Sequence, residues 1–180
     1  MERRLEAIIA GFGGQGVMLM GELICEAATK LNLFATFFPS YGPEMRGGTA
    51  NCNVIVSDKP IASPVLATSQ NIIVMNKPSL DKFESRVKEK GILFMNSSLI
   101  DKEPTRNDIE IIKIPANEIA DKLGKTVVAN MVMLGAFIEK TKFLPIDTIK
   151  EVVEKFLSER KKELIEINLK ALDEGAKLIK

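Results

Sequence analysis

The chain has 180 residues, 46% of them hydrophobic, which is enough for one sizeable core and short for two, so a single domain over 1–180 is expected. Lys and Arg together number 25 against 24 Asp and Glu, leaving no basic excess to hold nucleic acid and no acidic tail. With no His and only two Cys, the common zinc sites, Ser-His-Asp or Cys-His catalysis and a self-contained four-cysteine iron–sulfur cluster are excluded.

The N-terminus runs straight into a short aliphatic segment, residues 5–10, too short for a signal peptide and closed by glycine, as in a buried central strand. Gly11-Phe12-Gly13-Gly14-Gln15-Gly16 follows, and residues 17–31 then carry Val17, Met20, Leu23, Ile24, Ala27, Ala28 and Leu31 at helical spacing. The glycines therefore form a tight turn from strand to helix. Free N–H groups in the first helical turn favour an anion there, a phosphate above all. Gly11, Gly13 and Gly16 also meet the dinucleotide-binding spacing, but that fingerprint needs an acid at the end of the second strand. The second strand, residues 33–38, ends at Pro39 without one.

Next comes Pro39-Ser40-Tyr41-Gly42-Pro43-Glu44-Met45-Arg46-Gly47-Gly48, dense in turn residues and carrying the only Tyr. If strands one and two are parallel neighbours, this loop meets the first glycine turn at one sheet edge. Arg46 followed by Gly47 and Gly48 then offers a guanidinium and exposed N–H groups to the same anion. Residues 49–57 read as a third strand that returns without a crossover helix, hence antiparallel and in a mixed sheet. Cys25 falls in the first helix and Cys52 on this strand, both read as small core residues.

A short edge strand at 61–63 and a buried strand at 71–76 are expected next. A helix then spans 79–90, capped by Ser79 and stopped by Gly91 before a strand at 92–96. A strand at 109–114, a short helix at 116–123 closed by Gly124, and an all-apolar buried helix at 127–138 complete the alternation. The fold class is α/β, three-layer α/β/α with a mixed, mostly parallel sheet. Pro145 can open a helix toward Leu157, and Ser158 can cap a last helix over 159–180. Ile165, Leu169, Leu172, Ala176 and Ile179 stripe one face of that helix, and Leu164, Ile167, Ala171 and Leu178 stripe another. That width asks for a partner subunit or for burial between two helices of the same chain. Arg160-Lys161-Lys162 reads as a solvated face. Nothing is apolar and long enough to cross a bilayer, so a cytoplasmic protein is expected.

The two glycine motifs together, with Ser57-Asp58-Lys59-Pro60-Ile61 after the third strand, resemble the gamma subunit of 2-oxoacid:ferredoxin oxidoreductases over nearly the whole chain. The form Ser40-Tyr41-Gly42-Pro43-Glu44 is more similar to the 2-oxoglutarate enzymes than to the pyruvate ones. The resemblance implies the fold of the pyruvate-ferredoxin oxidoreductase gamma domain. It also implies an enzyme that decarboxylates a 2-oxo acid oxidatively, reduces ferredoxin and delivers the acyl group to coenzyme A. Thiamine diphosphate, magnesium and iron–sulfur clusters would lie in partner alpha, beta and ferredoxin-like delta subunits, and none in this chain. For this chain the resemblance leaves no catalytic and no metal-binding residue. It points to a coenzyme A or anion site at Gly11, Gly13, Gly14, Gln15, Gly16, Arg46, Gly47 and Gly48. Tyr41, Gly42, Pro43 and Glu44 would order the loop or meet a partner. Made alone, such a chain can homodimerise. The competing readings are a free-standing dinucleotide-binding oxidoreductase and a self-associating structural α/β protein.

Overall fold

Six of the seven expected strands form one sheet in the computed structural model, which describes residues 3–42, 48–158 and 161–179. The strands are β1 (Arg4–Phe12), β2 (Phe34–Tyr41), β3 (Thr49–Ser57), β4 (Ser69–Val74), β5 (Val87–Asn96) and β6 (Glu110–Ile114), in the order β2-β3-β1-β4-β5-β6. The β1/β4, β4/β5 and β5/β6 pairs are parallel, whereas β3 runs antiparallel to both β1 and β2. Strands one and two are thus not neighbours, because the hairpin return of β3 inserts between them. They still run the same way, and their carboxyl ends share one edge. Pro39 lies within β2 rather than ending it, which an outermost strand tolerates because one side of its backbone has no partner strand.

The helices are α1 (Val17–Lys30), α2 (Lys77–Phe83), α3 (Ala116–Lys122), α4 (Ala129–Thr141), α5 (Ile146–Ser158) and α6 (Ile165–Lys177). They cover the two sheet faces unequally. Ala7, Ile9, Val54, Ile73 and Phe94 meet α1, α3, α4, α5 and α6 in the larger core, while Ile8, Ile55, Ile72 and Leu93 meet Leu80 and Phe83 of α2 together with Leu66 and Ile100. Residues 129–138 of α4 are buried without a break, so the helix shows no polar stripe; Phe137 packs edge-to-face on Phe94 of the sheet, with ring centroids 5.3 Å apart. On its other side α4 meets α6 at backbone contact. A Cβ on Gly175 would fall inside the radius of Val132 O, and one on Gly135 inside that of Leu172 O. The wide stripe of α6 is therefore largely met within the chain, with Ala171, Leu172 and Ala176 buried and Leu178 left exposed.

Several expected boundaries move. Asn76, not Ser79, caps α2: its Oδ1 accepts the Ser79 N–H at 3.0 Å, with Pro78 in the first turn. That helix ends at Phe83, a 3-10 turn follows over Glu84–Arg86, and Gly91 sits inside β5 rather than after a helix. Residues 61–63 form no strand. Ser158 ends α5 instead of capping α6, and α6 starts only at Ile165 after a 3-10 turn over Lys162–Leu164. Among the described residues, no helix is long and apolar enough to cross a membrane.

Candidate functional site

The turn from β1 into α1 is built by its own side chain and by its neighbours. Gln15 N–H closes on Phe12 O at 3.1 Å, and the Gln15 Oε1 accepts both Phe12 N–H at 2.8 Å and Asn76 Nδ2 at 2.7 Å. Gln15 thus spans the turns after β1 and β4. Gly14 has φ +96° and Gly16 φ +73°, left-handed conformations that a side chain would strain. At Gly16 there is also no space, since a Cβ would lie 2.7 Å from Cγ of Asn130, the second residue of α4.

That contact brings two helix starts to one point. Neither α1 nor α4 has a side-chain cap, and both begin beside Gly16. The α1 start leaves its first-turn N–H groups without a side-chain cap, whereas α4 continues a 3-10 turn, with Ala129 N–H donating to Thr126 O and Met131 N–H to Asn130 Oδ1, so the donors at the turn come from α1. A groove of about 260 Å³ runs from Gly14 and Gly16 past Leu19 and Asn130 to Phe156 and Lys161. Lys161, read from sequence as part of a solvated run, thus lines the groove beside the turn. No local pattern marks it, because the break between α5 and α6 that places it there has no glycine or proline.

The second loop arrives at the same edge by chain connectivity. Gly13 N–H donates to Gly48 O at 3.1 Å, and Gly42 N–H donates to Thr49 O at 2.7 Å. Gly11, Gly13, Gly14, Gln15, Gly16 and Gly48 are therefore brought together. Tyr41 is 69% exposed at the end of β2, where it lines a shallow groove with Phe12, Gly13 and Gly16. Pro43, Glu44, Arg46 and Gly47 lie outside the described residues. The dinucleotide reading loses its geometric basis, since β3 separates the end of β2 from the glycine turn.

No group of three or more His, Cys, Asp and Glu side chains that could hold a metal ion occurs among the described residues. Both thiols are sequestered. Cys25 Sγ donates to Thr36 O at 3.4 Å and Cys52 Sγ to Val17 O at 3.7 Å, and burial pushes each thiol up to about 12. Both are protonated at neutral pH.

Comparison with known proteins identifies the family. The family described as pyruvate ferredoxin/flavodoxin oxidoreductase matches residues 6–178. The ketoisovalerate oxidoreductase subunit VorA of Methanothermobacter marburgensis is 37% identical over 175 residues, 97% of this chain but only 36% of VorA, so the chain spans about a third of that relative. The 2-oxoglutarate synthase subunit KorC of Methanocaldococcus jannaschii is 33% identical over 184 residues, covering 100% of this chain and 96% of KorC. Among solved structures, the gamma subunit of a keto/oxoacid ferredoxin oxidoreductase from Geobacter sulfurreducens superposes with a TM-score of 0.82 at 29% identity, over 97% of this chain and 98% of that one. The chain, matched by the family over nearly its full length and similar end to end to a gamma subunit, belongs to the pyruvate ferredoxin/flavodoxin oxidoreductase family.

Proposed function

We propose that this chain is the gamma subunit of a cytoplasmic 2-oxoacid:ferredoxin oxidoreductase and that it positions coenzyme A for acyl transfer. The complex decarboxylates a 2-oxo acid, passes two electrons to ferredoxin and joins the acyl group to the coenzyme A thiol. Partner alpha and beta subunits, with a ferredoxin-like delta subunit, supply thiamine diphosphate, magnesium and iron–sulfur clusters. The observation that carries the reading is the uncapped α1 start behind the left-handed Gly14 and Gly16, with Gly48 hydrogen-bonded to Gly13 alongside. Such a cluster of N–H donors suits the phosphates of coenzyme A. Arg46 adds a fork of donors from the adjoining loop.

2-Oxoglutarate is the first choice of substrate, supported by the end-to-end match to a 2-oxoglutarate synthase subunit. The higher identity to VorA favours a branched 2-oxo acid as the second reading. Anaerobic purification of the tagged chain with its partners, followed by dye reduction with each 2-oxo acid and coenzyme A, decides between them. In that complex Arg46→Ala should raise KM for coenzyme A about tenfold or more, the loss of one charge-assisted contact. An unaltered KM would leave the loop an assembly role only.

A further inference from the structure

The turns after β1 and β4 leave the sheet toward opposite faces, α1 to the Val54 side and α2 to the Ile72 side. A crevice opens between neighbouring parallel strands where this happens. Here it holds about 250 Å³ and is lined by Gln15, Met75, Asn117, Thr126, Val127 and Asn130 among others, with no charged side chain on its walls among the described residues.

The direction of its amides is fixed from behind by backbone groups. Phe12 N–H can only donate, so Gln15 must present Oε1 to it and leave Nε2 free. Met75 O can only accept, so Asn96 must present Nδ2 to it at 3.2 Å; that Nδ2 also donates to Asn117 Oδ1 at 2.8 Å. Asn117 thereby presents its Oδ1 to Asn96, and its Nδ2, on a residue that lines the crevice, has no partner among the described residues. Holding it so leaves the Oδ1 of fully buried Asn96 with no partner, a cost borne inside the fold. Asn130 Oδ1 is likewise occupied by Met131 N–H at 3.0 Å, while its Nδ2 has only a 3.5 Å approach to Gly16 O. Among the amides the acceptors are spent and donors remain, whereas the Thr126 hydroxyl spends its proton on Asp121 Oδ1. Met75 and Val127 supply apolar wall between them.

We infer that this crevice binds an uncharged chain carrying carbonyl acceptors, and that its guest is the amide-bearing pantetheine arm of the ligand whose phosphates rest on the glycine turn. Neutral amide donors match amide carbonyls, and the lack of any lysine or arginine on the walls disfavours a second anion. The inference rests on reading the turn as the coenzyme A anion site.

The test uses the purified complex and two inhibitors competing with coenzyme A: N-ethylpantothenamide for the uncharged arm and adenosine 3′,5′-bisphosphate for the anionic end. Asn117→Asp keeps the acceptor that Asn96 needs and replaces the free donor by an acceptor; Asn117→Ala removes both and serves if the first variant fails to assemble. Each should weaken N-ethylpantothenamide and raise KM for coenzyme A about tenfold, while bisphosphate inhibition falls by less than about threefold. Arg46→Ala should give the reverse pattern. If Arg46→Ala weakens the bisphosphate and both amide variants bind N-ethylpantothenamide like wild type, the crevice assignment is overturned and the anion site stands. If neither fragment competes with coenzyme A in the wild-type complex, both are overturned.

Discussion

Three of the glycines with positive φ separate two costs that glycine substitutions usually mix. Gly14 (φ +96°) and Gly124 (φ +95°) have open space where a Cβ would stand, so alanine at either meets only the backbone penalty, about 1–2 kcal/mol. Gly16 (φ +73°) carries the same penalty and a collision with the Asn130 side chain, which is 4% exposed and bonded to Met131 N–H. Moving that side chain off its contacts adds roughly 1–3 kcal/mol. Gly16→Ala should therefore cost about 3 kcal/mol in urea unfolding of the purified chain, against about 1–2 for Gly14→Ala and Gly124→Ala. Asn130→Ala is destabilising by itself, but in that background Gly16→Ala should cost only the backbone part, giving a coupling of about 1–2 kcal/mol. A cycle additive within about 0.5 kcal/mol, or a Gly16→Ala no worse than Gly124→Ala, would refute the claim that α4 is seated against the turn.

Two further outcomes test the core. Gly175→Ala gains about 1 kcal/mol in helix propensity, yet a Cβ would overlap Val132 O, and α4 and α6 must part to admit it. A net loss of about 2 kcal/mol or more is expected from urea midpoints, whereas Lys170→Ala on the exposed side of α6 should stay within about 0.5 kcal/mol. The thiols give a pH dependence. Burial raises each from an ordinary value of 9.0 to about 12, so above pH 9 the unfolded chain loses protons that the folded chain keeps. Stability from this source is complete below pH 9 and falls between 9 and 12 by about 1.4 kcal/mol per pH unit for each thiol. Urea unfolding at pH 8.5 and 10 should register that slope, and Cys25→Ala with Cys52→Ala should lose it.

The parts of the fold legible in the sequence are those with local causes. Residues 49–57 alternate and are bounded by turn residues, and β3 has those limits. The uninterrupted apolar run around Leu134 has nowhere to expose a polar face, and α4 is buried all round. Where two local signals compete, the nearer reading failed: Ser79 is a good cap, but Asn76 before Lys77-Pro78 is better placed, because proline suits a first turn and blocks an earlier helix. Val87, Lys88, Glu89 and Lys90 look helical by composition, and only pairing with β4 makes their segment a strand. Strand order, and with it the crevice between β1 and β4, has no local signal at all.

The position of β3 decides what this edge can do. Had β2 paired directly with β1 and been followed by a crossover helix, that helix would have packed over the carboxyl ends and closed the edge beside the glycine turn. A hairpin return instead brings Gly48 back against Gly13 within a few residues and leaves Tyr41 and the α1 start uncovered. Among the described residues, the glycine turn at the α1 start and the Gly48 end of the second loop then belong to one surface. On the proposed coenzyme A reading, a domain without histidine, with both thiols sequestered and with its donors fixed by backbone hydrogen bonds, holds its guest still for chemistry done on another chain. Preorganised neutral donors do this without adding a titrating group to the reaction.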